Sequence, residues 1–174
     1  QASHHVDMLE WMMGDVESVF AKMTTALADV ETEDTAIVTL KFKSGALGII
    51  EATTATRPTN LEGSISILGE HGTVVIGGVA VNEMQTWAFE DEQEGDSSVL
   101  EEFSVNPPNV YGFGHQAYYE HVVDCVVNES ANLVDGLQGR KSIELISAIY
   151  ESAETGKEVF LKFQPKHCRL GQKS

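Results

Sequence analysis

Apolar residues recur at helical spacing near the start of the chain. They are Val6, Leu9 and Met13, with Met8 and Met12 alongside. This spacing predicts an amphipathic helix that ends at Gly14, and Ser3 is the candidate for its N-cap. Because this helix begins within the first few residues, we expect the chain to be part of a longer protein.

From residue 16 onward the apolar pattern is that of β-strands. Apolar and polar residues alternate, or apolar residues form short runs, between turns such as Ser44-Gly45 and Glu70-His71-Gly72. These patterns predict strands at 16–25, 35–43, 46–54, 63–69, 73–78, 81–89, 99–105 and 158–163. The acidic stretch 90–98 is typical of a solvated loop.

Helical spacing returns in the second half of the chain. The pair Pro107-Pro108 precedes two predicted helices, at 114–128 and 140–155, and Gly156 stops the second. Runs of strands with segregated helices indicate an α+β fold, in which a large, mostly antiparallel sheet carries its helices on one face. We expect one domain over residues 1–163 and a tail over residues 164–174.

Adjacent apolar residues in the strands, such as Ile49 and Ile50, predict that both faces of the sheet are buried. Either a partner subunit or the loops of the same chain could cover the second face. The length of 174 residues, 42% of them hydrophobic, suffices for one sizeable core.

The charge balance excludes some partners. The chain has 27 acidic against 11 basic residues, a formal net charge of -16, which argues against binding to nucleic acid or to an anionic membrane. Its two cysteines, Cys125 and Cys168, do not form a disulfide scaffold pattern. With no long apolar run and no signal-peptide pattern in the sequence, we expect a cytoplasmic protein.

The first helix carries candidate chemistry in its opening turns: His4, His5 and Asp7. A helix N-terminus attracts anions, and an imidazole can act as a base near neutral pH. A cap or a surface position is the alternative for His4. Asp7 is either an orienting group or an acid that complements the helix dipole. Because adjacent helical residues point about 100° apart, the two histidines cannot share one ion, and we predict no metal site.

Two further segments are candidates for substrate contacts. Residues 112–117 fit the loose pattern G-x-G-x-x-A, but prolines precede them instead of a buried strand, so we do not predict a dinucleotide site. The glycines either aim Tyr111 and His115 at a substrate pocket or only admit the helix. Arg57, beside Pro58, could pair with a carboxylate or phosphate, or be an ordinary surface arginine.

Four stretches of the sequence, in order along the chain, carry a family resemblance. They are residues 4–14, 45–48, 67–73 and 148–156. Together they resemble the C-terminal domain of the Gfo/Idh/MocA family of nicotinamide-dependent sugar oxidoreductases. Residues 3–5 and 51–58 are also similar to those of the members that oxidise C3 of UDP-N-acetyl-glucosaminuronic acid.

The resemblance implies a function for the chain. Family members join a Rossmann domain, which binds NAD or NADP and carries a catalytic Lys-Pro motif, to a C-terminal domain that binds substrate and forms oligomers. His4 would match the histidine of the family's His-x-x-Asp pattern, as the general base or as the group that holds the reacting hydroxyl. We expect no cofactor-binding residues here and no activity of this chain alone.

The expected partners are a nucleotide-sugar substrate, the missing Rossmann domain and further copies of the chain, joined through the sheet. His5, Arg57, Tyr111 and His115 are the predicted substrate contacts. The parent would be an NAD(P)-dependent oxidoreductase that oxidises a ring hydroxyl of a nucleotide-linked uronic acid sugar. The alternative is a non-catalytic sugar-binding or assembly module that dimerises through the sheet.

Overall fold

The computed structural model of the chain describes residues 2–61, 63–78, 81–105 and 112–162. The elements follow in the order α1 (Ser3–Met13), β1 (Val16–Thr24), β2 (Thr35–Phe42), β3 (Leu47–Thr53), β4 (Ile65–Leu68), β5 (Gly72–Gly77), β6 (Glu83–Phe89), α2 (Asp96–Glu102), α3 (Gly114–Asn128), α4 (Gly136–Thr155) and β7 (Val159–Phe160). They fall into two compact units. The first is discontinuous, with Gln1–Asn60 and Leu133–Ser174, and the second is Leu61–Asn132.

The first unit is built on a four-stranded antiparallel sheet with the order β3-β2-β1-β7. Strand β2 alternates strictly, so that one set of its side chains is buried and the other is exposed. Helix α4 packs on β1, and α1 packs on α4. One core joins these elements, formed by Val6, Val16, Val19, Ala21, Val38, Leu40, Phe42, Leu145, Ala148 and Ile149.

Ser152 links α4 to the sheet from inside this core. Its side chain is fully buried, and its Oγ accepts a hydrogen bond from the backbone N–H of Ala21 at 3.0 Å. The same hydroxyl donates to the carbonyl of Lys157 at 2.6 Å. The described pairing of β1 with β7 involves Ser18 and Val19 of β1. Ser152 therefore satisfies the N–H of Ala21, a backbone donor of β1 that lies beyond this pairing.

The second face of the four-stranded sheet is exposed in this chain. Ile37, Leu47 and Ile49 are 54%, 79% and 74% exposed, although they belong to regular strands. Within the described residues, loops of this chain therefore do not bury the second face of the sheet.

The second unit contains the antiparallel sheet β4-β5-β6, with α2 packed on β6. Helix α3 is exposed along most of its length, and Cys125 is its buried residue. The Sγ atom of Cys125 lies 3.4 Å from Nε2 of His121, one turn earlier.

The predicted α+β class with antiparallel strands is confirmed. Six of the predicted strands correspond closely to β1 to β6, and the first helix ends at Gly14 as expected. The strands form two sheets among the described residues rather than one large sheet. Helix α4 begins four residues earlier than predicted, because the carboxylate of Asp135 caps it by accepting from the N–H groups of Leu137 and Gln138.

Two local predictions are wrong. Residues 99–105 do not form a strand, because α2 covers Asp96–Glu102. Asp96 is the first residue of this helix. Its carboxylate accepts hydrogen bonds from the Gln93 N–H at 2.7 Å and from Trp87 Nε1 at 2.8 Å, and these bonds lower the pKa of its carboxyl group. Ser3 is not the cap of α1. It is the first helical residue, and Ala2 occupies the N-cap position without a side-chain hydrogen bond.

Candidate functional site

His4 and His5 lie in the first turn of α1, as the sequence predicted, but they differ in exposure. The side chain of His4 is exposed, whereas His5 is half-buried. The Nε2 atom of His5 is buried and has no hydrogen-bond partner among the described residues. Val6, the next residue, is buried in the core and anchors this turn. The two imidazoles therefore have different environments, since that of His4 is exposed and that of His5 is partly buried.

Asp7 contacts α4. The hydroxyl of Ser142 donates a hydrogen bond to Oδ1 of Asp7, across 135 residues of sequence. Asp7 lies three residues after His4, so it occupies the adjacent turn on nearly the same side of the helix. The contact ties α1 to α4 at Asp7. The interpretation of Asp7 as an orienting group, or as an acid that complements the helix dipole, stays a prediction.

A charged cluster forms where α1 leads into β1. Asp15 accepts from Lys141 Nζ of α4 at 3.1 Å and from Lys43 Nζ, just after β2, at 3.2 Å. The hydrogen bonds from Lys141 and Lys43 lower the pKa of the Asp15 carboxyl group. Asp15 thus joins the end of α1 to two other elements of the first unit.

Glu10 is a buried carboxyl group in the middle of α1. It is only 8% exposed, and its Oε2 has no hydrogen-bond partner in the described part of the chain. Burial raises the pKa of Glu10, Lys141 opposes this effect, and the negative charges of Asp15, Asp7 and Glu144 add to it. Neither Glu10 nor its α4 neighbours were predicted from the sequence. The available signal was spacing, since Glu10 stands at an apolar position between Val6 and Met13.

Arg57 lies in an exposed loop after β3. Its Nη1 donates to the carbonyl of the preceding residue, Thr56, at 2.9 Å. The strand register pairs Thr53 with Thr35 and Thr35 with Thr24. The loop therefore leaves the sheet at the end where β1 finishes, whereas α1 enters at the opposite end. The role of Arg57 as a substrate contact stays a prediction.

The remaining predicted contacts belong to the second unit. His115 is exposed in the first turn of α3, after a turn in which Gly112 adopts a φ of +67°. Tyr111 lies outside the described residues. The role of both residues in substrate binding stays a prediction.

Other kinds of site can be judged from the residues that the structure describes. Within them, no three His, Cys, Asp or Glu side chains come together in a way that could hold a metal ion. Their helices include none that is long and apolar enough to span a membrane. All strand pairs in both sheets are antiparallel, so these residues offer no βαβ unit for a dinucleotide.

Comparison with known proteins defines the class of the chain. A model of the C-terminal alpha/beta domain of an oxidoreductase family matches residues 1–161. The α+β fold agrees with this match, and the chain is thus a C-terminal domain of oxidoreductase type. It belongs to the Gfo/Idh/MocA family.

Two solved structures are similar over nearly the whole chain. The WlbA dehydrogenase from Chromobacterium violaceum, in complex with NADH and UDP-GlcNAcA, is 45% identical over 95% of this chain, with a TM-score of 0.83. The WlbA dehydrogenase from Bordetella pertussis, with the same two ligands, is 44% identical over 94% of this chain, with a TM-score of 0.86.

A more distant structure, a levoglucosan dehydrogenase in complex with NADH and L-sorbose, shares the fold at 20% identity over 92% of this chain, with a TM-score of 0.71. The chain covers only 46% to 48% of the length of these three proteins. It therefore spans about half the length of the proteins that it matches.

Proposed function

We propose that this chain is the substrate-binding and oligomerisation part, residues 1–163, of an NAD(P)-dependent sugar dehydrogenase. The substrate class is a nucleotide-linked uronic acid sugar, oxidised at a ring hydroxyl. One observation carries the proposal, which is the 44–45% identity to two dehydrogenases in complex with NADH and UDP-GlcNAcA. The exposed His4 at the start of α1 supports it, since its ring is open to a ligand.

His4 acts in this proposal on the hydroxyl proton. Oxidation of a secondary alcohol requires removal of the O–H proton while hydride leaves the carbon. The neutral imidazole of His4 takes that proton or holds the hydroxyl for a second base outside this chain. Val6 and Asp7 support the role, because their contacts with the core and with Ser142 fix the turn that carries His4.

The cofactor is assigned to another domain of the same protein. The glycines at the start of α3 follow no parallel strand among the described residues, so these residues do not fit a dinucleotide by themselves. A nicotinamide bound in that domain would accept the hydride. His5, Arg57, Tyr111 and His115 are the proposed contacts to the sugar nucleotide, with Arg57 suited to a carboxylate or phosphate.

Turnover tests the proposal. The protein expressed from its complete reading frame is assayed for reduction of NAD and of NADP with a panel of UDP-linked N-acetyl-hexosaminuronic acids. His4→Ala and His4→Asn should lower kcat by roughly 10²–10⁴-fold and leave KM nearly unchanged, as expected for loss of an acid-base group.

The matched control is His71→Asn. His71 is an exposed histidine on the turn between β4 and β5, where it pairs with Glu90 at 3.2 Å, and its replacement should leave turnover unchanged. Unaltered kcat in the His4 variants would disprove the catalytic assignment. Absence of turnover in the wild type, with calorimetric binding of the same sugars retained, would favour a non-catalytic sugar-binding module.

We propose that oligomers form through the open face of the four-stranded sheet. The exposure of Ile37, Leu47 and Ile49 in regular strands supports this choice of surface. Ile49→Glu should reduce the mass measured by light scattering, whereas Val30→Glu, in an exposed loop of the same unit, should not. An unchanged mass in the Ile49 variant would exclude this interface.

A further inference from the structure

Helix α1 lacks a side-chain cap at the end that carries His4. Ala2 occupies the N-cap position, and within the described part of the chain the first turn has no side-chain capping hydrogen bond. The first four N–H groups of a helix have no partner within the helix, so an uncapped first turn frays readily. Contacts between this turn and other elements therefore bear on the position of His4.

Helix α4 supplies fixed points for α1. It is held firmly, because Leu145, Ala148 and Ile149 are buried in the core and Asp135 caps its start. Two consecutive residues of α4 contact two acidic residues, one near the start of α1 and one just after its end. Ser142 donates to Asp7 near the start of α1, and Lys141 pairs with Asp15 just after its end.

The two contacts constrain different motions. The ion pair with Lys141 fixes the end of α1 close to β1, since Asp15 also binds Lys43. The hydrogen bond from Ser142 fixes the rotation of the turn next to His4, because Asp7 and His4 are three residues apart. The buried side chain of Val6 is a further contact of this part of α1 with the core.

We propose that Ser142 is a positioning residue for the reaction, which acts through Asp7 to orient the turn that bears His4. This inference rests on the proposed function of His4. Orientation matters because a displacement of about 1 Å at a reacting group can cost roughly 10²-fold in rate. Ser142 itself does not touch the substrate in this proposal.

The test compares Ser142→Ala with Ser142→Thr, which keeps the hydroxyl group. The protein expressed from its complete reading frame is used for steady-state kinetics and for amide hydrogen exchange of residues 4–9. Ser142→Ala should lower kcat roughly tenfold with KM within about twofold, and should speed exchange in α1 several-fold. Ser142→Thr should restore both quantities to within about twofold of the wild type.

Ser147→Ala is the control on the same helix. The Ser147 hydroxyl is exposed and bonds the Ile143 carbonyl of its own helix, so both readouts should stay at the wild-type level. Wild-type kcat in Ser142→Ala, or failure of Ser142→Thr to restore it, would overturn the positioning role. If the wild type has no turnover, the proposed function fails. The exchange rates then test the Ser142–Asp7 contact by themselves, and unchanged exchange in Ser142→Ala refutes it.

Discussion

Replacing Ser152 by alanine should destabilise the first unit more than its small change in volume suggests. Ser152 is fully buried, accepts from the Ala21 N–H at 3.0 Å and donates to the Lys157 carbonyl at 2.6 Å. Alanine removes both bonds. Ala21 is itself fully buried, so its N–H would lose this partner without gaining water.

The expected cost follows from these two bonds. An orphaned buried N–H costs about 1–3 kcal/mol, and loss of the bond to the Lys157 carbonyl adds about 1 kcal/mol. The better helix propensity of alanine offsets about 0.5 kcal/mol. We therefore expect the free energy of unfolding to fall by roughly 2–3 kcal/mol, which corresponds to a lower urea midpoint by about 1 M.

The assay is urea unfolding followed by far-ultraviolet circular dichroism, with exchange of the Ala21 amide as a local probe. Ser147→Ala is the matched control, because the Ser147 hydroxyl is exposed and bonds only a carbonyl of its own helix. It should change the free energy of unfolding by less than about 0.5 kcal/mol. A Ser152→Ala protein as stable as this control, with an unchanged exchange rate at Ala21, would refute the reasoning.

Three further predictions concern charges and caps. Burial raises the pKa of Glu10 from its ordinary value of 4.5, so the folded state binds a proton more tightly than the unfolded state and loses stability as pH rises through the raised pKa. The urea midpoint of Glu10→Gln should therefore exceed that of the wild type at pH 8. A difference of the same size at pH 4 would contradict this prediction. Hydrogen bonds from the N–H groups of Leu27 and Ala28 lower the pKa of Asp34, so the ionised carboxylate stabilises the fold above its unfolded pKa, and this stability is lost as pH falls through the folded pKa. Asp34→Asn should therefore have a lower urea midpoint than the wild type at pH 7 and approach the wild type in acid. Equal midpoints at pH 7 would count against this prediction. Asp135→Ala removes the cap of α4 and should cost about 1 kcal/mol in thermal or urea unfolding, whereas Asp135→Ser should retain most of the stability.

Local patterns sufficed for much of the fold. The alternation in residues 35–43 predicted β2 because its two faces have different surroundings, and that difference is visible within one strand. Helix α2 could not be predicted in the same way. Its first residue, Asp96, accepts a hydrogen bond from the indole of Trp87, nine residues earlier. Short-range propensity does not include that contact.

The residues of the candidate site also differ in whether local sequence could predict them. His4 could be proposed as a site residue because its neighbours in the sequence form a recognisable pattern. The residues that hold its helix could not, since Ser142 is far from Asp7 along the chain and meets it only after α4 has packed on the sheet. Glu10 was overlooked although its spacing was visible, because a glutamate in an apolar series is usually assigned to the solvent side.

The discontinuity of the first unit determines when its core can form. During synthesis β1, β2 and β3 leave the ribosome first, but Leu145 and Ile149 follow only after the whole of the second unit, Leu61–Asn132. Until then the buried face of the sheet, with Val38, Leu40 and Phe42, has no covering helix, and an uncovered apolar sheet is prone to aggregation. The contacts between α4 and β1 also have a long separation in sequence, which slows folding. A nascent chain of this protein therefore exposes this apolar face until α4 emerges.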